Sequence, residues 1–264
     1  MLTLGLTLLL TLLPAHAWRE ITPTTSCNLP TSPPLPYQTF MASYSNTPTV
    51  LTLDASSLVA AQEATSRSNL LSRMGSTSVL LSSSNSFSYA KQTTTLAAYL
   101  DSLPSPTAPS DLTPDTLIDD VEHDLYDDAE EAFYLFGDHS KEWYDFIDET
   151  IPLPLPAQDA PRVSPSFGIG WDQSGVAFHT HGPVFAYTLH GHKRWFLTPP
   201  DSPPPFHPSI TSASWLTSSN YSLFSQSPSS IDCTLAPGQV LFIPDAWWHA
   251  TLNIGDTLFI SHFI

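Results

Sequence analysis

The pattern of hydrophobic and polar positions changes character near Val163. Beyond that point, short runs of β-branched and aromatic residues alternate with Gly and Pro turns, and no long helical period lies between them. The runs predict strands at 166–169, 175–178, 185–189, 193–198, 239–243, 250–254 and 257–263. Several short strands separated by turn signals predict an antiparallel barrel or jelly roll. A long polar insertion, 202–230, interrupts this β region.

The part of the chain before Val163 shows mixed patterning. Residues 18–57 are rich in Pro, Ser and Thr and predict an extended N-terminal arm with a short helix near 37–44. Apolar residues at helical spacing predict helices at 57–73, 96–103 and 139–150. Short strands are expected at 78–81 and 130–136, and the composition of 103–114 predicts a Pro/Ser linker. We therefore expect one folded domain over 58–264, preceded by the arm.

The first 17 residues have the pattern of a secretory signal peptide. An apolar run at 2–13 is followed by Pro14 and then by Ala15-His16-Ala17, which has the small-x-small pattern of a cleavage site. The alternative, a buried N-terminal helix, is disfavoured because the run has no polar face. We expect the secretory pathway, with retention in the endoplasmic reticulum lumen or secretion left open, and no membrane-spanning segment, since no second long apolar run is present.

A secretory route changes how the cysteines and one asparagine are interpreted. The two cysteines, Cys27 and Cys233, allow one intramolecular pairing, and an oxidising compartment favours a disulfide over two free buried thiols. Asn220-Tyr221-Ser222 is a glycosylation sequon, so Asn220 is a candidate glycan acceptor.

The charge balance bears on the class of partner. The net charge is −17, and most of the excess acid lies in 111–149, where a solvated helix face is the simplest interpretation. A strongly acidic chain without a basic patch argues against nucleic acid as a partner.

The histidines suggest a metal site. Side chains two apart on a strand point to the same face, so His179 and His181 can chelate one ion together. His249 lies far downstream at the start of another predicted strand, delivered by the rigid corner "IPDAWW". Imidazole suits iron, zinc, copper or nickel, and two surface histidines remain the alternative. A second pair, His190 and His192, flanks Gly191 in an expected exposed hairpin turn.

Two longer stretches carry a resemblance to a known family. "FHTHGPVFAYTLHGHKRWFLTPP" followed by "APGQVLFIPDAWWHATLN" resembles the JmjC/cupin-like oxygenases. "SVLLSSSNSFSYAKQTTTLAAYLDSL", "FYLFGDHSKEW" and "SFGIG" look like one branch of that family in the same order, a branch carried into the endoplasmic reticulum lumen by a signal sequence. The resemblance covers about residue 58 to the C-terminus.

The resemblance implies a fold and a site. The expected fold is mainly β, a double-stranded β-helix (the cupin/JmjC jelly roll) with N-terminal helical elements and its core at about 163–264. In active relatives an HxD/E motif and a distal His hold Fe(II), and a Lys binds the far carboxylate of the cosubstrate 2-oxoglutarate. Carried over by position, His179 and His249 are metal ligands and Lys193 is the cosubstrate partner, with a solvated turn residue as the alternative for Lys193. His181 departs from the pattern, since active hydroxylases have an acidic ligand there.

Three functions follow as hypotheses. The first is an Fe(II)/2-oxoglutarate-dependent oxygenase that hydroxylates a luminal protein, with a His179, His181, His249 metal site. The second is a catalytically inactive JmjC-like protein that binds or regulates a luminal partner. The third is zinc-activated water chemistry, because three histidines and an open position also suit Zn²⁺. The oligomeric state is not predicted.

Overall fold

The computed structural model describes residues 17–25, 27–86, 88, 90–103, 133–137 and 139–264. The predicted signal peptide therefore lies outside the described residues apart from Ala17, and so does most of the Pro/Ser linker and of the acidic run. Among the helices that the structure describes, none combines the length and the hydrophobicity of a membrane span.

The described elements form a mainly β domain with helices before it. The helices are α1 (Tyr37–Tyr44), α2 (Ala55–Ala64), α3 (Arg67–Met74), α4 (Leu96–Ser102), α5 (Lys141–Thr150), α6 (Leu155–Gln158), α7 (Ser212–Leu216) and α8 (Ser219–Gln226). The strands are β1 (Thr49–Thr52), β2 (Ser78–Ser83), β3 (Lys91–Thr95), β4 (Phe133–Leu135), β5 (Ser164–Gly170), β6 (Val184–Thr198), β7 (Ile231–Leu235), β8 (Gln239–Ile243) and β9 (Trp248–Phe263). The predicted class, mainly β with N-terminal helices, is confirmed.

One antiparallel sheet contains the strands. Its order is β1-β8-β6-β9-β5-β4-β2-β3, with β7 paired to β6, and the sheet is not closed. The two longest strands, β6 and β9, lie side by side from Val184↔Phe263 to Thr198↔Trp248. This pair runs through the middle of the sheet, with further strands on both sides of it.

A predicted hairpin and a predicted turn were wrong in the same way. The runs 185–189 and 193–198 are one strand, β6, and the runs 250–254 and 257–263 are one strand, β9. The turn signals at Gly191 and Gly255 mark positive φ angles of 65° and 74° within these strands. The β6–β9 register shifts on both sides of His190, which identifies a bulge rather than a chain reversal.

Other predicted boundaries also need correction. The helix predicted at 57–73 is two helices, because the Ser66 side chain accepts a hydrogen bond from the Asn69 N–H and starts α3. The strand predicted at 175–178 is a loop beside β9. The N-terminal arm contains β1, which adds to the sheet edge at β8.

The insertion 202–230 is polar in composition, but it contributes aromatic residues to a buried apolar cluster. Its helices α7 and α8 bury Trp215 and Phe224 against Phe178 and Phe196. Two isolated aromatic residues in a Ser-rich stretch therefore close one side of the β core. The larger core lies between the N-terminal helices and the opposite part of the sheet.

Candidate metal centre

The three predicted metal ligands converge. His179 and His181 lie in the loop before β6, and His249 is the second residue of β9. The loop is fixed to the strand by a two-way bridge, in which the His179 N–H donates to the His249 carbonyl (3.1 Å) and the His249 N–H donates back (3.0 Å). One nitrogen from each ring lies within 4.8 Å of the others. This is the one group of three or more metal-binding side chains found in the described part of the chain.

The outer nitrogen of every ring is already engaged. His179 Nδ1 lies 2.9 Å from the Ala177 carbonyl, and His249 Nδ1 lies 2.9 Å from the Trp247 carbonyl. His181 Nδ1 lies 2.7 Å from the Gly182 carbonyl. A carbonyl only accepts, so each Nδ1 carries the proton and each Nε2 presents a lone pair to the centre. Fixing the tautomer of metal-binding histidines in this way is a common function of such outer contacts.

Burial keeps the imidazoles neutral. Desolvation lowers the pKa of His179 to about 4, with further lowering from the neighbouring His181 and Lys193. It also lowers the pKa of His181 and, most strongly, that of His249, which is 2% exposed. Neutral imidazole is the form that binds a metal ion, so protons compete poorly for this site above mildly acidic pH.

The donor set fits a divalent transition metal. Two nitrogen ligands about 2.1 Å from a shared ion lie roughly 3–3.5 Å apart. His181 Nε2 and His249 Nε2 are 2.9 Å apart, close to that separation. Three imidazole donors on one side leave the other coordination positions to a ligand from the pocket. The donor set does not distinguish iron from zinc.

The metal centre lies in a pocket of about 340 Å³. Its described lining combines aromatic rings with hydroxyl groups: Ser86, Ser88, Phe136, Gly137, Tyr144, Ser164, Pro165, Ser166, Val176, Val184, Lys193, Trp195, Thr251, Phe259, Ser261 and Phe263, besides the three histidines. None of these described residues is an Asp or a Glu. A cavity of this volume has room for a small ligand beside the three histidines.

Lys193 lies inside this pocket and not on the surface. It is 2% exposed, and its Nζ donates to Asn253 Oδ1 at 2.8 Å. Desolvation lowers its pKa to about 7. Its neighbour Arg194 points to the other face of β6 and binds Asp232 at 2.6 Å, so the two adjacent cations have separate environments. The alternative interpretation of Lys193 as a solvated turn residue was wrong.

The second histidine pair also differs from expectation. His190 and His192 are half-buried residues of the β6 bulge and not exposed turn residues. His190 Nε2 lies 3.0 Å from Thr65 Oγ1, and its ring lies 5.7 Å from that of Trp18. They take no part in the metal centre. Their location ties the first residues of the arm to the sheet.

The remaining predicted residues lie away from the pocket. Cys27 and Cys233 are joined in a disulfide that connects the N-terminal arm to β7. Asn220 lies in the first turn of α8 and is half-buried. His262 is buried next to Tyr187, and His207 accepts from the Ser209 N–H.

Two residues that contact Lys193 were not predicted. Asn253 and Phe259 contact Lys193 from β9, and nothing in the residue pattern indicates that they face it. Knowledge of the strand register would have identified Asn253, because Lys193 and Asn253 are direct partners across β6 and β9. Register depends on the bulge at His190, which the sequence presents as a turn.

Comparison with known proteins agrees with the geometry. Residues 45–260 match the model of a cupin-like domain. The chain is 38% identical over 200 residues to JmjC domain-containing protein 8 of Mus musculus, covering 75% of this chain and 68% of that protein. The Homo sapiens protein of the same name is 38% identical over 201 residues, with 75% and 69% covered.

A shorter match reaches a relative whose name includes an activity. The bifunctional arginine demethylase and lysyl-hydroxylase psr-1 of Caenorhabditis elegans is 29% identical over 121 residues, which is 36% of this chain and 28% of that protein. That relative is named for arginine demethylation and lysyl hydroxylation.

Proposed function

The chain belongs to the cupin-like family of JmjC domains, and from that premise we propose that it is an Fe(II)/2-oxoglutarate-dependent oxygenase of the protein hydroxylase type. Its metal site is His179, His181 and His249. The substrate is a protein of the secretory pathway, in the lumen of the endoplasmic reticulum, as the signal-like N-terminus and the lumen-directed branch of the family suggest.

One observation carries the proposal. Three Nε2 lone pairs converge in the same pocket as a buried lysine ammonium. A divalent ion held by three neutral imidazoles keeps its full charge, and Lys193 adds another positive charge nearby. An uncompensated buried charge is costly, so a pocket built this way favours a dianion. A 2-oxo dicarboxylate supplies one charge at the metal and one at the lysine.

The residues of the chain have separate tasks in this proposal. The three imidazoles hold the ion, with orientations fixed by the carbonyls of Ala177, Gly182 and Trp247. With iron bound, the site would supply activation of O₂: one oxygen atom would go to a C–H bond of the substrate and the other to 2-oxoglutarate, which would leave as succinate and CO₂. Lys193 binds the far carboxylate and sets the direction in which the cosubstrate lies. The rings of Trp195, Phe259 and Phe263 give the pocket an apolar wall.

His181 in place of an acidic ligand changes the charge balance and not the number of ligands. An Asp or Glu would neutralise one charge of the ion, whereas imidazole neutralises none. We therefore expect metal affinity to depend more strongly on the bound dicarboxylate than it does in a site with a carboxylate ligand. Metal and 2-oxoglutarate should each tighten the binding of the other.

The test measures succinate release together with the binding of Fe(II) and 2-oxoglutarate. Purified protein loaded anaerobically with Fe(II) is exposed to O₂ and 2-oxoglutarate, and succinate release is measured. His249→Ala and Lys193→Ala should abolish release, while His207→Ala, a histidine outside the pocket, should leave it unchanged. No succinate from a protein that binds Fe(II) and 2-oxoglutarate in equal amounts would overturn the oxygenase proposal.

The second candidate is a catalytically inactive JmjC-like protein that binds a luminal partner or regulates it. The observation that favours it is the replacement of the acidic ligand by His181. Under this alternative, metal binding stabilises the fold or is absent, and succinate is not formed with any peptide. Stoichiometric zinc in protein isolated from its native compartment, without turnover after iron loading, would favour a zinc site instead.

A further inference from the structure

We propose that Asn253 and Phe259 are positioning residues, which together hold the Lys193 ammonium in place as the receptor for a carboxylate. This inference deepens the proposed function and rests on it. Neither residue touches the three histidines through any described hydrogen bond. Their effect on the reaction would pass through Lys193.

The ammonium has two described neighbours on β9. Lys193 Nζ donates to Asn253 Oδ1 at 2.8 Å and lies 3.7 Å from the centre of the Phe259 ring. An ammonium over an aromatic face is attracted by the ring quadrupole, most strongly where water is excluded. The long, flexible lysine side chain is thereby confined to one position before any ligand arrives.

The orientation of the Asn253 amide is determined by its two partners. An ammonium has only donors, so only the carbonyl oxygen of the amide can face it. The other end, Nδ2, donates to Ser174 Oγ at 2.9 Å, and Ser174 Oγ donates to the Trp171 carbonyl at 2.6 Å. Asn253 is fully buried. The amide therefore cannot rotate without losing hydrogen bonds that no water can replace.

Two glycines of β5 make room for this arrangement. A Cβ at Gly168 would lie 2.1 Å from the Phe259 ring, and a Cβ at Gly170 would lie 2.2 Å from Asn253 Nδ2. Both distances are far below contact, so any larger residue would displace one of the two neighbours of the lysine. This requirement accounts for the glycines of the "SFGIG" segment.

The chemistry of Asn253 matters as much as its position. A carboxylate at this place would form an ion pair with Lys193 and cancel its charge. A neutral amide holds the ammonium by a hydrogen bond and leaves the charge for a ligand. The arrangement fits a receptor that must be fixed in place and still attract an anion.

The replacement Asn253→Asp separates these two roles. It keeps the oxygen that faces Lys193 and adds a negative charge, and it also replaces the Nδ2 donor to Ser174 by an oxygen. We expect anaerobic binding of 2-oxoglutarate to the Fe(II)-loaded protein, measured by calorimetry, to weaken by about tenfold or more. The thermal midpoint of the metal-free Asn253→Asp variant should depend on Lys193, because the ammonium is then the charged partner of the buried carboxylate and offsets the lost hydrogen bond to Ser174. Asn46→Asp, at an exposed turn, makes the same change in net charge and should alter neither measurement.

Two further variants test the contact between Asn253 and Lys193. In a Lys193→Met background, Asn253→Asp should lower the thermal midpoint much more than it does when Lys193 is present, since the buried carboxylate then has no charged partner. If Asn253→Asp does not fold, Ser174→Ala tests the same contact by freeing the amide, and 2-oxoglutarate binding should weaken by about fivefold.

Different results would contradict the positioning role of Asn253 and the proposed oxygenase function. Unchanged 2-oxoglutarate binding in Asn253→Asp, or a parallel loss of binding and stability in all of these variants, would overturn the positioning role. Absence of 2-oxoglutarate binding in the unmodified protein would overturn the proposed function. A thermal midpoint of Asn253→Asp that depends on Lys193 would still support the Asn253 contact in that case.

Discussion

His181 Nε2 and His249 Nε2 lie 2.9 Å apart, although both rings already direct Nδ1 at a backbone carbonyl. With both protons on Nδ1, two lone pairs face each other at hydrogen-bond distance, and they repel. A shared cation converts this repulsion into attraction. Backbone hydrogen bonds between His179 and His249, and from the Ala246 N–H to the His181 carbonyl (3.0 Å), hold the histidine loop beside β9.

From this relationship we predict that divalent metal raises the thermal midpoint of unfolding. Free metal at about 100 times its Kd adds about 2.7 kcal/mol of stability. For a chain of this size that corresponds to a shift of roughly 5 °C or more. Differential scanning fluorimetry with Fe(II) under anaerobic conditions, or with Zn²⁺, measures it.

Two histidine variants are the matched controls for the metal-induced rise in the thermal midpoint. His249→Ala should remove the shift, and a chelator should reverse it in the unmodified protein. His207→Ala, outside the pocket, should retain the full shift. A shift of equal size in His249→Ala would place the responsible metal somewhere other than the three-histidine centre.

We predict a loss of stability on mild acidification. Burial lowers the pKa of His179 and of His262 to about 4, below the ordinary 6.5. Both are neutral in the folded protein and take up a proton more readily when unfolded. Their contribution is therefore complete above pH 6.5 and is lost as the pH falls from 6.5 towards 4. Each group contributes roughly 1–3 kcal/mol over this window.

His262 allows the loss of stability at low pH to be tested apart from metal binding, because it is buried but is not one of the three candidate metal ligands. In urea unfolding of metal-free protein at pH 7.5, 6 and 5, His262→Phe should show a smaller loss of stability than the unmodified protein. His207→Phe serves as the control. An identical pH dependence in His262→Phe and in the unmodified protein would contradict the assignment of acid sensitivity to this buried ring.

The two histidine-bearing stretches of the candidate metal site were predictable because their chemistry is local in sequence. A spaced histidine pair and a rigid Pro-containing corner specify donors and direction without knowledge of the rest of the fold. The bulge at His190 was not predictable in the same way. Glycine at positive φ serves equally well in a hairpin turn and in a bulge, and the choice depends on whether β9 continues alongside.

The partners of Lys193 were not predictable, for a related reason. Asn253 and Phe259 reach it only through the β6–β9 register, and a shift of one residue would direct both side chains to the other face of the sheet. Trp215 and Phe224 were missed because single aromatic residues in a Ser-rich segment show no period. Tertiary packing gives those positions their role.

Gly175 should be much less tolerant of substitution than Gly182, although both lie near the histidine pair. A Cβ at Gly175 would lie 1.9 Å from the Thr251 carbonyl oxygen, which is backbone and cannot turn aside. At Gly182 nothing lies within 4 Å of the added atom, and the backbone there does not have positive φ.

We therefore predict that Gly175→Ala lowers the free energy of unfolding by more than about 2 kcal/mol. It should also reduce the metal-induced shift, because Thr251 is two residues from His249 on β9. Gly182→Ala should be neutral or stabilising by up to about 1 kcal/mol. Chemical denaturation with and without metal tests both, and equal effects of the two substitutions would contradict the close approach of the Gly175 backbone to β9.

The disulfide should support the pocket as well as the arm. Cys233 lies opposite Trp195 in the β6–β7 register, and Trp195 lines the pocket. The bridge to Cys27 spans 206 residues, and closing so long a loop contributes about 3–5 kcal/mol in the chain-entropy description. We predict that the double variant Cys27→Ala/Cys233→Ala is less stable by that order and shows a smaller metal-induced thermal shift.

Reduction provides the control for the disulfide. Dithiothreitol should lower the thermal midpoint of the unmodified protein towards that of the double variant and leave the double variant itself unchanged. The smaller metal shift follows from packing, because Trp195, Val184 and Phe263 share one apolar cluster with Cys233 and also line the pocket. If the double variant loses stability but keeps the full metal shift, the disulfide secures the N-terminal arm alone, and the pocket wall is held by β6 and β9 without it.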